Sequence, residues 1–166
     1  RSTPINKIVI DVGAHERTEF YKHVVADLGL LVLAFEPSQK AFRIHQAKSW
    51  HDRILIFPFA IAPGPACKRR FNEYDDGKMN SLSKITGKWA HTLLPKSDDL
   101  QVLTLSLERV LRLIPSHVAI RYLKVDAQGS DMDVIESAGN QIMRIERVQV
   151  ETQDLPLESP LLLYED

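Results

Sequence analysis

The sequence predicts an α/β fold in which a twisted, mostly parallel sheet carries helices on both faces. Five short apolar runs, at residues 7–12, 30–35, 54–59, 122–125 and 147–150, are nearly continuous, the pattern of strands buried on both sides. Segments of helical or crossover length separate them, which suits right-handed parallel connections. A third observation bears on function. Asp11, Glu36, Asp126 and Glu151 stand at the ends of four of these runs, and in such sheets ligands bind beyond the carboxyl ends of the strands.

Each element has its own warrant. Lys7–Val12 is rich in Ile and Val and leads into Gly13. Phe20, Val24 and Leu28 then recur at i, i+4 and i+8, an apolar helix face, with Thr18 the expected N-cap and Gly29 the expected C-cap. Leu30–Phe35 ends at Glu36-Pro37, and Ser38 is placed to cap a second helix reaching Lys48. The third run continues to Ile61 before Pro63-Gly64-Pro65 breaks it. A polar excursion follows, with a short strand at 69–74 and a turn at Asp75-Asp76-Gly77. Excursions of that length in compact domains often carry function. Residues 102–105 read as a strand and Leu107–Leu113 as a short helix. The run at 122–125 ends at Asp126, and Ser130 is placed to cap a helix presenting Met132, Ile135, Ala138 and Ile142. The run at 147–150 ends at Glu151. The expectation is one domain over residues 1–166, with its core at 7–152 and the excursion at about 63–101.

Composition narrows the function classes. There are 21 basic and 22 acidic residues, for a net charge of -1, which argues against a general nucleic-acid binder. The densest basic cluster, Lys68-Arg69-Arg70, reads as a solvated loop or strand edge. Cys67 is the only cysteine, so no intrachain disulfide forms and a reducing compartment fits. The 6 histidines lack metal-ligand spacing, so no metal is expected. No apolar run approaches a membrane span. The expected location is cytoplasmic, leaving aside any segment removed ahead of Arg1.

The strand-end acids suggest a ligand. Glu36 is placed to accept hydrogen bonds from ribose hydroxyls, and Gly13 lets a ligand approach the backbone. A pyrophosphate would call for G-x-G-x-x-G, which DVGAHER lacks. An acid at the end of the first strand suits a cation instead. S-adenosylmethionine offers a sulfonium and an ammonium with no phosphate. Structural roles stand beside these: Asp11 capping local backbone, Asp126 bonding loop N–H groups, Glu36 solvated at a strand end, Glu151 supporting its loop, and Asn80 and Ser81 holding a surface loop.

The segments VIDVGAH, VLAFEPS, FAIA, NSL and YLKVDAQGSDMDVIESAG, followed by VQVET, resemble FkbM-type S-adenosylmethionine-dependent methyltransferases from about Lys7 to Glu151. The resemblance implies a Rossmann-like class I methyltransferase fold, S-adenosylmethionine as cofactor, and O-methylation of a hydroxyl on a sugar, lipid or natural product. Carried over by position, Asp11, Gly13 and Ala14 would line the methionine moiety, with His15 and Thr18 on the same loop. Glu36, followed by Pro37, would hold the ribose, and Ala60 and Ile61 would lie near the adenine. Asp126, then Glu151, are the candidate bases, and Ser81 and Gln128 the candidate substrate contacts. Asp131 stands where many members have Glu.

Two departures from the family's pattern carry expectations. The loop lacks the glycine that usually follows Asp-x-Gly-Ala and is shorter than in members that have it; Arg17 within it is expected to point outward, since a guanidinium prefers water unless paired. The tail LPLESPLLLYED is too short for the remaining strands of a full methyltransferase sheet. The C-terminal strands are therefore expected to be missing or truncated, leaving an edge through which a homo-oligomer would form. The expected partner is a small-molecule or glycan hydroxyl acceptor, with no nucleic acid and no membrane span. Two alternatives belong to other classes: a degenerate methyltransferase-fold module that binds without turnover, and a nicotinamide-dependent oxidoreductase.

Overall fold

A computed structural model of the chain describes residues 3–48, 51–74, 80–85, 100–151 and 157–158. The Asp75-Asp76-Gly77 turn and residues 86–99 of the excursion lie outside the described residues. In chain order the first elements are β1 (Lys7–Val12), α1 (Tyr21–Ala26), β2 (Leu30–Phe35), α2 (Gln39–Ala47), β3 (Ile54–Phe57), β4 (Phe59–Ile61), β5 (Cys67–Arg70) and β6 (Lys84–Ile85). After them come β7 (Gln101–Leu105), α3 (Leu107–Leu113), β8 (Ala119–Val125), α4 (Asp131–Glu136), a 3-10 helix (Gly139–Arg144), β9 (Val148–Val150) and β10 (Leu157–Glu158).

The main sheet runs β3-β2-β1-β8-β9, and every neighbouring pair is parallel. This is the predicted Rossmann-like α/β architecture. The period-two alternation of β1 explains its two-sided burial. Ile8, Ile10 and Val12 join Leu107, Leu111 and Val134 in one core, beneath α3 and α4. Val9 joins Phe20, Val24, Val32 and Ala34 in the other, beneath α1. Ile10 and Leu123 are fully buried, each worth roughly 1.5–3 kcal/mol. Among the described residues β3 and β9 are the outer strands, and Val148 of β9 is exposed. Among those residues no helix is long and apolar enough to cross a membrane.

The third apolar run divides. Pro58, which has no N–H to give a ladder, separates β3 in the main sheet from β4 in a second sheet. There β4 pairs parallel to β7, whose other edge takes β5 antiparallel. The short strand expected at 69–74 therefore sits at Cys67–Arg70. β6 pairs antiparallel with β10, bringing the chain beyond β9 against the excursion.

Three local expectations are corrected. Phe20, not Thr18, precedes α1, and it makes no side-chain cap. Thr18 Oγ1 instead donates to Asp11 Oδ2 at 2.6 Å and accepts from Phe20 N at 3.3 Å. The buried Asp11 carboxylate needs that donor more than the helix needs a cap. α1 stops at Ala26, so Leu28 is exposed; Asp27, not Gly29, is the C-cap, and its side chain accepts from Gly29 N at 3.0 Å. Ser130 precedes α4 without a side-chain cap bond. α4 ends at Glu136 and turns Val134, not the exposed Met132, into the core. Ser38, by contrast, caps α2 as expected, accepting from Ala41 N.

Candidate functional site

The carboxyl ends of the main strands open onto a cavity of about 420 Å³. Val12 and Gly13 line it at the end of β1, Glu36 and Pro37 after β2, and Asp126 and Gln128 after β8. β4 contributes Phe59, Ala60 and Ile61; Phe71, Asn80, Ser81 and Leu82 reach it from the excursion; Glu151 lines it after β9.

The stretch DVGAHERTEFY is the densest part of this site. Asp126 N donates to Val12 O at 3.0 Å, which draws the two strand ends together. A Cβ on Gly13 would lie 1.9 Å from Asp126 O, and its φ is +78°. The protein's own backbone thus demands glycine here, whatever ligand approaches. Gly13 N and Ala14 N both donate to Phe35 O, at 3.0 and 3.2 Å. The next left-handed angle falls on His15, with φ 51°, a conformation uncommon for residues other than glycine. It aims the His15 N–H at Glu36 Oε2, 2.7 Å away. Arg17 is exposed and does not line the cavity.

Glu36 is buried although it borders the cavity. Its other oxygen accepts from Ser38 N at 2.8 Å. Burial pushes its carboxyl up to about 7; the Ser38 and His15 N–H groups pull against that rise, while Glu73 and Asp11 add to it. Each oxygen keeps a further acceptor position.

The loop after β8 is clamped by a carboxylate. Asp131 accepts from Ala127 N at 2.7 Å and Gly129 N at 2.9 Å. Burial raises its carboxyl, and those two N–H groups oppose the rise. Gln128 (φ 51°) and Gly129 (φ 90°) form the turn between. Gln128 Nε2 donates to Asp126 Oδ1 at 2.6 Å. Three buried serines tie the excursion to this loop: Ser83 Oγ lies 2.9 Å from Ser130 Oγ, and Ser81 Oγ donates to Ala127 O at 3.3 Å. Asn80 also braces its own loop, accepting from Tyr74 N at 2.9 Å.

Beneath Asp126 lies Lys124, whose side chain is 14% exposed. Its ammonium stands 3.6 Å from Asp11 Oδ1 and 3.6 Å from Asp126 Oδ2. Burial works against its charge, but Asp11, Asp126 and Glu19 outweigh that and hold the ammonium above its ordinary value. For Asp11 burial dominates and raises the carboxyl, with Lys124 and Thr18 opposing. Glu151 stands one strand along, its N–H donating to Val125 O at 2.9 Å. The neighbouring Asp126 carboxylate, by its charge and by a hydrogen bond, raises the Glu151 carboxyl.

A sequence model of the Methyltransferase FkbM domain matches residues 11–160. The chain belongs to the FkbM methyltransferase family. No curated protein and no solved structure matches it. Enzymes of this family generally use S-adenosylmethionine.

For this FkbM domain, ten of the thirteen candidate site residues named from sequence border this cavity. They are Gly13, His15, Glu36, Pro37, Ala60 and Ile61 on the cofactor side, with Ser81, Asp126, Gln128 and Glu151. Asp11, Ala14 and Thr18 do not border it; all three are buried behind the loop. Sequence reasoning missed Phe59, Phe71, Lys124 and the clamping role of Asp131. Lys124 carried a usable signal, because a lysine inside a buried strand must be paired. Phe71 carried none, since only the second sheet brings it to the site.

Proposed function

We propose that this FkbM domain is an S-adenosylmethionine-dependent methyltransferase that O-methylates a hydroxyl of a sugar, lipid or other natural product. One observation carries the reading. Among the described residues the cavity is bordered by Glu36, Asp126 and Glu151 and by no Lys or Arg. Such a lining suits a sulfonium and an ammonium and offers nothing to a pyrophosphate, so the dinucleotide reading gains no support.

The residues present fit the group. Glu36, fixed by two backbone N–H groups, would accept from ribose hydroxyls with its remaining acceptor positions. Phe59, Ala60 and Ile61 offer an apolar wall to the adenine. Gly13 and His15 would border the amino-acid end, with Asp11, Ala14 and Thr18 holding that loop from behind. S-adenosylmethionine, when bound, supplies an activated methyl group. The chain's own part is to align the acceptor oxygen, exclude water and take the departing proton. Ser81 and Gln128 border the acceptor end, and the Asp126–Glu151 pair is the proton acceptor.

Calorimetry with S-adenosylmethionine and its demethylated product tests the reading, followed by methyl transfer to a panel of polyol and lipid hydroxyls. Binding that disappears in Glu36→Ala supports it. A folded chain that binds neither compound refutes it, and a chain that binds both yet transfers no methyl group to the panel turns the reading toward a ligand-binding module.

A further inference from the structure

We propose that Gln128 is a positioning residue: its amide fixes the Asp126 carboxylate at the rim of the cavity, and its left-handed backbone is what brings the amide there. The role in turnover rests on the methyltransferase reading above, whereas the hold on Asp126 rests on the geometry of the unliganded chain.

Among the described residues two that are not glycine have a left-handed backbone, His15 and Gln128, each with φ 51°. Both follow a central strand of the main sheet, and both border the cavity. Each serves a carboxylate, but by different means. His15 gives its backbone N–H to Glu36, which any residue except proline could do. Gln128 gives a side-chain N–H: its Nε2 donates to Asp126 Oδ1 at 2.6 Å. Glycine would adopt this backbone without steric cost, yet it has no amide to offer. A residue in a sparsely populated conformation persists only where its surroundings fix it. Here Asp131 holds the N–H groups on either side, those of Ala127 and Gly129, and Ser83 Oγ meets Ser130 Oγ at 2.9 Å just beyond.

The hydrogen bond removes a freedom that matters. Asp126 borders the cavity and its side chain is 22% exposed. A carboxylate so placed, left to itself, samples several staggered rotamers. The Lys124 ammonium lies 3.6 Å from the other oxygen, so it attracts as a point charge on a flexible stem and fixes no direction. The Gln128 amide is planar and approaches from the turn that follows, so it does fix one. In the transfer the acceptor O–H bond breaks as its O–CH3 bond forms. The methyl comes from a sulfonium that is left as a neutral thioether, and the proton passes to the Asp126–Glu151 pair. An oxygen that must meet that hydrogen gains from being held in place beforehand. Gln128 acts through Asp126 and on neither reactant.

The experiment measures the NMR couplings that report the Asp126 side-chain rotamer, near neutral pH and in the unliganded chain, for the wild type, Gln128→Gly, Gln128→Met and His15→Gly. Gln128→Gly keeps the turn without the amide, and Gln128→Met keeps the bulk without the hydrogen bond, so misfolding of one leaves the other to decide. The wild type is expected to show a single rotamer and both Gln128 variants an average over several. His15→Gly relaxes the other left-handed residue and is expected to keep the single Asp126 rotamer, which separates loss of the amide from relief of strain. A rotamer average in the wild type, or a single rotamer in a folded Gln128 variant, overturns the assignment. With an acceptor that is methylated, the Gln128 variants are expected to lose roughly 10–10²-fold in kcat, while KM for acceptor and donor stays within about threefold. A rise in acceptor KM at unchanged kcat overturns the assignment and makes Gln128 a substrate contact. Rotamer averaging in variants of a chain that transfers no methyl group upholds the hold on Asp126 and counts against the methyltransferase reading alone.

Discussion

Gly13→Ala tests the architecture of the site most directly. The new methyl would sit 1.9 Å from the carbonyl oxygen of Asp126, with a second contact at 2.9 Å to the carbon of the same carbonyl. To reach even 3 Å, the β1 and β8 loops must separate by about 1 Å, in a region packed to the density of an organic crystal. Overpacking of this kind costs roughly 1–3 kcal/mol. The φ of +78° adds roughly 1–2 kcal/mol for any L side chain. The two together predict a loss of roughly 2–5 kcal/mol, a large part of the stability of an ordinary domain. For a chain of this size that lowers Tm by roughly 5–20 °C. Gly64→Ala is the internal control. Gly64 has φ +90°, but its added Cβ meets only the tip of Arg69 at 3.4 Å, so it should lose the backbone contribution alone. Urea denaturation of both variants decides the matter. If Gly13→Ala loses no more than Gly64→Ala, the close approach of the two strand ends is not what fixes glycine at this position.

Three further outcomes follow from the same contacts. Because Glu36 holds its proton up to about 7 in the folded chain against about 4.5 when unfolded, wild-type stability should fall as pH rises from about 4.5 to 7, by about 3 kcal/mol in total, then level off; Glu36→Gln should flatten that slope in urea titrations, and an unchanged slope would disprove the linkage. His15→Gly removes a side chain from a left-handed position and should stabilise the chain by up to about 1 kcal/mol in the same assay, with clear destabilisation as the contrary result. Asp131→Ala strips the Ala127 and Gly129 N–H groups of their acceptor and should cost roughly 2–4 kcal/mol, with faster amide exchange at those two positions; native exchange rates there would show that the clamp is dispensable.

The sheet was legible because β1 and β2 are apolar runs bounded by Gly13 and by Glu36-Pro37, and nothing in their environment competes with that pattern. β3 was misjudged at its end because hydrophobicity continues through Pro58 while the hydrogen-bond ladder does not. α1 was overextended because Leu28 fits a helical period yet falls after the Asp27 cap, in solvent. At the site, the strand-end acids could be found by position alone. Their division into cavity-facing Glu36 and buried Asp11 could not, because it depends on which oxygen finds a backbone donor. Thr18 shows the same limit: a hydroxyl near a helix start reads as a cap, but here a buried carboxylate seven residues earlier claims it. Phe71 and Ser83 were obscured by the chain's route, since the second sheet and the serine contacts carry the excursion back over the strand ends.

The strand order has a consequence for how the chain is made. β1 pairs on one side with β2, close in sequence, and on the other with β8, whose Ala119 meets Lys7 across more than half the chain. A ribosome releasing the chain from its N-terminus therefore leaves one flank of β1 without its partner until β8 emerges, an unsatisfied row of amides and carbonyls that invites intermolecular pairing. Contacts of such long sequence separation slow the folding search. The same event brings Asp126 to Gly13, so the cavity at the strand ends takes shape only after β8 has emerged.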